Sequence, residues 1–286
     1  MAIRIVIDSA SDISWEYADK HGIKVVPLSV TYYDKSFKED REFDLEKHYS
    51  HYETDPNFLP KTSQPSPKQF LTVYEELAKE GAKDILVICI SSAMSGTMNS
   101  ARLAISILQN SYPDVQVHLI DSLNASFPEV FLAEEAVDLI KKGWKIDKIV
   151  PRLNELVKLL KTYIFIPNLK YLHLGGRISI AKYYLARLLK KKVITRVNEA
   201  GTNETAATVS DVDEGLAKIV QLTTENYTRY PRKFVIVHAN DIENAKKLKE
   251  IVLSKEPKAE VRIIKTKCTI SAHTGPGAVA LLTDFG

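Results

Sequence analysis

The sequence predicts an α/β protein of two domains, and three observations carry that expectation. Its 286 residues amount to about twice the usual domain size. Through the first half, short β-branched runs alternate with longer amphipathic segments, the pattern of crossover units around a largely parallel sheet. After Leu174-Gly175-Gly176-Arg177 the rhythm changes, and a strand, a polar glycine-containing turn and a return strand imply a mixed or antiparallel sheet. The expected domains are 1–170 and 171–286, with the boundary between Pro167 and Gly176.

The elements follow in order. Expected strands are Ile3–Ile7, Lys24–Thr31, Ile85–Ile90, Val115–Ile120 and Tyr163–Pro167. Expected helices are Pro67–Lys79, Gly96–Gln109, Pro128–Lys142 and Asp147–Leu160, with Pro67, Pro128 and Asp147 where helix starts tolerate or favour them. Beyond Arg177 come a helix, a strand at Val193–Val197, a turn at Asn198–Thr205 and a return strand at Ala206–Ser210. A helix from Asp211, a strand at Phe234–His238, a helix from Asp241 and a strand at Val261–Lys265 then lead to His273-Thr274-Gly275-Pro276-Gly277.

Composition narrows the function classes. With 45% hydrophobic and 26% charged residues the chain is neither disordered nor fibrous. A net charge of +3, no long basic tail and no zinc-ligand spacing argue against nucleic acid as a partner. The Lys190-Lys191-Lys192 run reads as a solvated helix end, allowing at most transient contact with a membrane surface. Cys89 and Cys268, each in an apolar β-like run, read as buried thiols in a reducing compartment. The apolar start ends at Asp8, too early for a signal-peptide core, and no run reaches the ~20 apolar residues of a membrane span, so a cytoplasmic location is expected.

Several segments have the chemistry of a site. Ser91-Ser92-Ala93-Met94-Ser95-Gly96-Thr97 lies between a strand and a helix, where free amides and aligned peptide dipoles favour an anion. A plain helix cap, with Ser95 satisfying backbone amides, is the alternative. Thr62-Ser63-Gln64-Pro65-Ser66-Pro67 is a rigid hydroxyl-rich turn that either presents a hydroxyl or simply caps the following helix. His273 stands beside glycines that permit close approach of a ligand, or is structural. Arg177 suits a carboxylate, from a ligand or from the protein itself. Asp8-Ser9-Ala10-Ser11-Asp12 suits capping more than a metal, and His48 and His51, three apart on a helix, read as surface residues. No P-loop, nucleophile elbow or activated cysteine is visible, so no catalytic residue, metal or cofactor is expected.

Five motifs, Asp8–Asp12, Thr62–Pro67, Ser91–Thr97, Gly175-Gly176-Arg177-Ile178-Ser179 and His273–Gly277, in this order and spacing along essentially the whole chain, resemble the DegV family. The resemblance implies a two-domain α/β fold with a long-chain fatty acid such as palmitate between the domains, its tail in an apolar tunnel. It implies that the carboxyl end is held by Thr62 and Ser95, with His273 and Arg177 completing or orienting the polar end. It also implies a non-catalytic partner of a separate fatty acid kinase, which converts the presented acid to an acyl phosphate. Many relatives carry a basic cluster on the return strand of the second domain, whereas Ala206-Ala207-Thr208-Val209-Ser210 is uncharged here. Arg196, Lys218 or Lys190–Lys192 are the available substitutes. A lipid sensor or carrier without a kinase, or an enzyme acting on a small acyl or anionic substrate, are the other readings.

Overall fold

A computed structural model describes residues 3–178, 191–225 and 233–284. The chain runs through β1 (Ile3–Asp8), a 3-10 turn (Ser9–Ser11), α1 (Trp15–His21), β2 (Lys24–Val26), β3 (Ser29–Tyr32), β4 (Lys35–Lys38), α2 (Leu45–Thr54) and β5 (Lys61–Ser63). It continues through α3 (Pro67–Lys79), β6 (Asp84–Cys89), α4 (Thr97–Leu108), β7 (Gln116–Asp121), α5 (Pro128–Lys141), α6 (Ile146–Val157), β8 (Lys161–Ile166) and α7 (Lys170–Leu174). The remaining described elements are β9 (Lys192–Val197), β10 (Asn203–Val209), α8 (Val212–Glu225), β11 (Lys233–His238), α9 (Ile242–Lys255), β12 (Glu260–Lys265), α10 (Cys268–Thr274) and β13 (Val279–Thr283).

Packing groups these into two units. The first comprises residues 1–31, 36–43 and 62–158, and the second residues 32–35, 44–61 and 159–286. A division at 170/171 would leave β8 in the first domain. In the structure β8 pairs with β9 and β13 and belongs to the second sheet, and the segment carrying α2 also joins the second unit.

The first unit holds a parallel sheet of order β2-β1-β6-β7. Its inner strands read as nearly unbroken apolar runs because both faces are covered. Val6, Val87 and Cys89 pack with Phe70, Tyr74 and Leu77 of α3 and Ala101, Ala104 and Leu108 of α4. Strand order turns outward in opposite directions from β1 and β6, so their carboxyl ends form the topological switch point where such sheets bind ligands.

The second unit holds a mixed sheet of order β10-β9-β8-β13-β11-β12, in which only the β11–β12 pair is parallel. Phe165, Ile194, Phe234, Ile236 and Leu281 from its strands pack with Leu216 and Ile219 of α8 and Leu248 of α9. A side chain at Gly215 would collide with the Phe165 ring, so glycine sets the close approach of α8 to β8. A third, small sheet has the order β4-β3-β5.

Most expected elements are present within a residue or two, and four differences stand out. The expected strand Lys24–Thr31 is interrupted at Pro27, which has no N–H for a ladder, giving β2 and β3. Cys268 opens α10 rather than lying in a strand. The sequence reading misses β13, a fully buried five-residue strand between β8 and β11 whose short apolar run lacks any alternation. His48 is wholly buried rather than on the surface. Ser179, Lys190 and most of the helix expected after Arg177 lie outside the described residues.

Candidate ligand-binding site

At the switch point of the first unit, three strand-end loops are laced together by hydrogen bonds. The Asp8 carboxylate accepts from Ala10 N at 3.0 Å and from Ile90 N at 2.8 Å, tying the end of β1 to the end of β6. Ser9 Oγ donates to Glu39 at 2.7 Å and accepts from Leu28 N at 2.9 Å. Ser11 Oγ donates to the Asp8 carbonyl, and the Ser126 hydroxyl donates to Asp12. The Asp8–Asp12 motif is thus occupied in capping and bridging, and no group of three or more His, Cys, Asp or Glu side chains able to hold a metal occurs among the described residues. Asp12, Leu123 and Ser126 all take positive φ in these loops, the kind of backbone strain that collects at sites.

The loop after β6 turns on itself before α4. Ser95 N donates to the Ser91 carbonyl at 3.0 Å, and Ser91 N donates to the Asn124 carbonyl at 2.7 Å. The Ser95 and Thr97 hydroxyls lie 2.9 Å apart, and Thr97 N reaches Ser95 Oγ at 3.3 Å. Gly96 is the N-cap of α4 and supplies no side-chain cap, so of the first-turn amides Thr97 N turns to Ser95 Oγ and those beyond it are left open to an acceptor. Ser95 itself is half-buried, as is Thr62.

Thr62 and Ser95 are drawn to the same region by Gln64, a residue to which the sequence reading gave no separate role. Gln64 Nε2 donates to Ser100 Oγ at 2.9 Å, and a methyl group at Gly96 would collide with the Gln64 amide. Two residues past Thr62 therefore touch one residue past Ser95. The turn between them is rigid because Ser66 and Gln69 form a reciprocal capping box behind Pro67.

Beneath these loops lies a group with no signal in the sequence. Glu129, in the first turn of α5, is fully buried, and neither carboxyl oxygen has a hydrogen-bond partner among the described residues. Burial first, and then the charges of Asp8, Asp12 and Asp121, push its pKa well above the usual carboxylate range. Cys89 is likewise pushed up by burial and by the Asp8 and Glu129 charges, which makes it an inert thiol.

Arg177 and His273 come together in the second unit. The Arg177 guanidinium donates to the Gly175 carbonyl, and a side chain at Gly175 would collide with His273 Nδ1. Burial and then Arg177 lower the His273 pKa from 6.5 to about 4, so the imidazole is neutral at physiological pH. Gly275 takes φ 74° with the Tyr171 ring against its Cα, a position closed to any side chain. Of the suggested docking cations, Arg196 pairs with Glu204 at 2.6 Å, Lys218 meets Gln221 at 3.0 Å and Lys191 meets Ser210 at 2.7 Å. Among the described residues, no helix is long and apolar enough to cross a membrane.

Comparisons with known proteins agree along the whole chain. The family described as "Uncharacterised protein, DegV family COG1307" matches residues 2–284. The DegV domain-containing protein SAR1438 of Staphylococcus aureus is 34% identical over 279 residues, covering 97% of each chain. A Thermus thermophilus structure described as fatty acid binding of a DegV family protein superposes with a TM-score of 0.89 at 26% identity, covering 99% of each chain. The Fak B3 protein of the Streptococcus pneumoniae fatty acid kinase, loaded with linoleic acid, shares the fold with a TM-score of 0.85 at 24% identity over 100% of each chain.

Proposed function

This chain belongs to the DegV family, and from that premise we propose that it binds a long-chain fatty acid non-covalently, with the carboxyl end held by Thr62 and Ser95. The observation that carries the reading is the open first turn of α4 at the switch point, with the Ser95 hydroxyl beside it and the Thr62 segment pinned to it through Gln64. Helix amides and hydroxyls at such a place favour a carboxylate. His273, neutral and next to Arg177, completes the polar end, Arg177 supplying the positive charge and His273 a neutral hydrogen-bonding ring.

Affinity and orientation come from different parts of the ligand. Burying an acyl chain is worth ~0.8 kcal/mol per methylene, on the order of 10 kcal/mol for a long chain. Each neutral hydrogen bond to the head nets only ~1 kcal/mol. The tail thus supplies binding and the hydroxyls fix where the carboxylate points. In this reading the chain is the binding subunit of a fatty acid kinase system: it positions the acid, and a separate ATP-dependent subunit supplies metal and phosphate chemistry.

Purification without added lipid, denaturing extraction and mass spectrometry test the first step. Stoichiometric free fatty acid is expected. Extraction of none, together with failure to take up added palmitate, overturns the reading. Acyl phosphate formation, assayed with the chain alone and with a fatty acid kinase from the same source, tests the second. Turnover is expected only with both proteins, and turnover by the chain alone would show it to be an enzyme.

A further inference from the structure

One face of α2 is committed to holding α10. His48, Tyr49 and Tyr52 occupy adjacent positions on that face, and each reaches the segment that carries His273. His48 Nε2 meets Ser271 Oγ at 3.2 Å, Tyr52 Oη donates to the Ser271 carbonyl at 3.1 Å, and Tyr49 Oη donates to the Thr266 carbonyl at 3.0 Å. Ser271 lies two residues before His273, and Thr266 lies just ahead of α10. The Tyr52 ring also packs edge-on against Tyr171 at 5.5 Å, and Tyr171 is the ring against which Gly275 closes the loop after His273. Around His48 the rings of Tyr32, Tyr49, Tyr52 and Phe58 lie within 6 Å, so the imidazole is fixed on all sides.

A Ser–His contact of this length invites a catalytic reading, which the burial removes. His48 and Ser271 are both fully buried, and burial lowers the His48 pKa to about 4. The pair is out of reach of any substrate. Its effect is mechanical: a seven-residue helix is too short to hold its own orientation, and α2 supplies what the short helix lacks.

We propose that α2 is a positioning clamp for His273: His48, Tyr49 and Tyr52 lock the short helix Cys268–Thr274 so that the imidazole at its end is presented in one orientation, against Gly175 and Arg177. His48, Tyr49 and Tyr52 are positioning residues for the polar end of the site. The proposal rests on the reading of His273 as a head-group residue, and its test separates the two.

The test uses the full chain carrying Tyr52→Phe, Ser271→Ala and the double variant His48→Phe/Tyr52→Phe. The His273 imidazole is followed in the lipid-free protein by nitrogen-detected NMR titration, and dissociation constants are measured for palmitic acid and for hexadecanol. Loosening of α10 is expected to move the His273 titration from about 4 toward 6.5. It is also expected to reduce the preference for the acid over the alcohol about tenfold, the equivalent of one hydrogen bond, with hexadecanol affinity unchanged. In place of His48→Phe, His48→Gln restores an N–H for Ser271 and rescues both readouts. Folded variants with unaltered His273 titration and unaltered preference overturn the clamp. If the double variant does not fold, Tyr52→Phe alone decides by the same NMR measurement. A wild-type protein that shows no preference for the acid refutes the lipid reading instead, while the His273 titration still judges the clamp.

Discussion

Mild acid is expected to weaken the second unit through two imidazoles. His48 and His273 are both lowered from 6.5 to about 4, by burial first and then by a neighbouring positive charge, from His51 and Arg177 respectively. Each is neutral in the folded chain and gains a proton readily only on unfolding. Between pH 6.5 and 4 the unfolded chain therefore binds more protons, so stability is fully present above that window and is lost as the pH falls through it. At pH 5 the loss is about 2 kcal/mol for each imidazole, a large share of a typical domain stability of ~5–15 kcal/mol. His238, lowered by burial and then by Lys265, acts in the same direction.

Urea unfolding of lipid-free protein at pH 7 and pH 5 measures this, since a bound fatty acid would add its own titration. Trp15 and Trp144 both lie in the first unit, so their fluorescence reports that unit. Hydrogen exchange in β9, β11 and β13 reports the second. Exchange protection in those strands should fall steeply between the two pH values. His48→Gln and His273→Gln should each shrink the fall by about 2 kcal/mol, whatever they cost at pH 7. A pH 5 penalty that is unchanged in the double variant would refute the assignment of neutral buried imidazoles.

The first unit should respond in the opposite direction at Glu129. Its carboxyl keeps its proton above the usual carboxylate range, so its presence costs stability as the pH rises through that range. Glu129→Leu removes two buried oxygens without partners and should stabilise the unit by ~1–3 kcal/mol at pH 8, with little gain near pH 4; a less stable variant at pH 8 by tryptophan fluorescence contradicts this. Gly275→Ala should destabilise the second unit by ~1–3 kcal/mol, because it adds a clash with Tyr171 to an unfavourable φ. Gly143→Ala, with φ 80° and open space around it, should cost only the strain, ~1 kcal/mol, and equal losses at the two sites would remove the role given to Tyr171. Thr62→Val with Ser95→Ala should leave the circular dichroism spectrum intact and weaken palmitic acid binding by ~2 kcal/mol, and unchanged affinity would displace both hydroxyls from the head group.

The parts of the fold legible in the sequence are those whose cause is local. Pro67–Lys79 is readable to the residue because Ser66, Pro67 and Gln69 together write a helix start, and the buried strands of the first sheet announce themselves as apolar runs. Asp211 and Asp241 mark their helices for the same reason: a carboxylate accepts the amide three residues on. The sorting of local elements into units is not local. β8 reads like one more strand of the first half, and only its pairings with β9 and with β13, the latter more than a hundred residues away, assign it to the second sheet.

The site divides along the same line. The hydroxyls of Thr62 and Ser95 and the glycines around Arg177 and His273 are visible because a loop that presents chemistry needs special residue types in sequence, where glycine and proline fix the backbone. The residues that hold those loops carry no such mark. Gln64 is an ordinary polar residue until Ser100, 36 positions on, receives its amide. His48 and Tyr52 look like the polar side of a weakly amphipathic helix, and what makes them structural is Ser271, 223 and 219 positions away. Tertiary partners at that separation leave no periodicity to read, because periodicity records only which face of an element is apolar, not which polar group waits opposite it. A buried polar side chain such as Glu129 or His48 is therefore where structure adds most to the sequence: burial raises the cost of the group, so something other than surface solubility must account for its place.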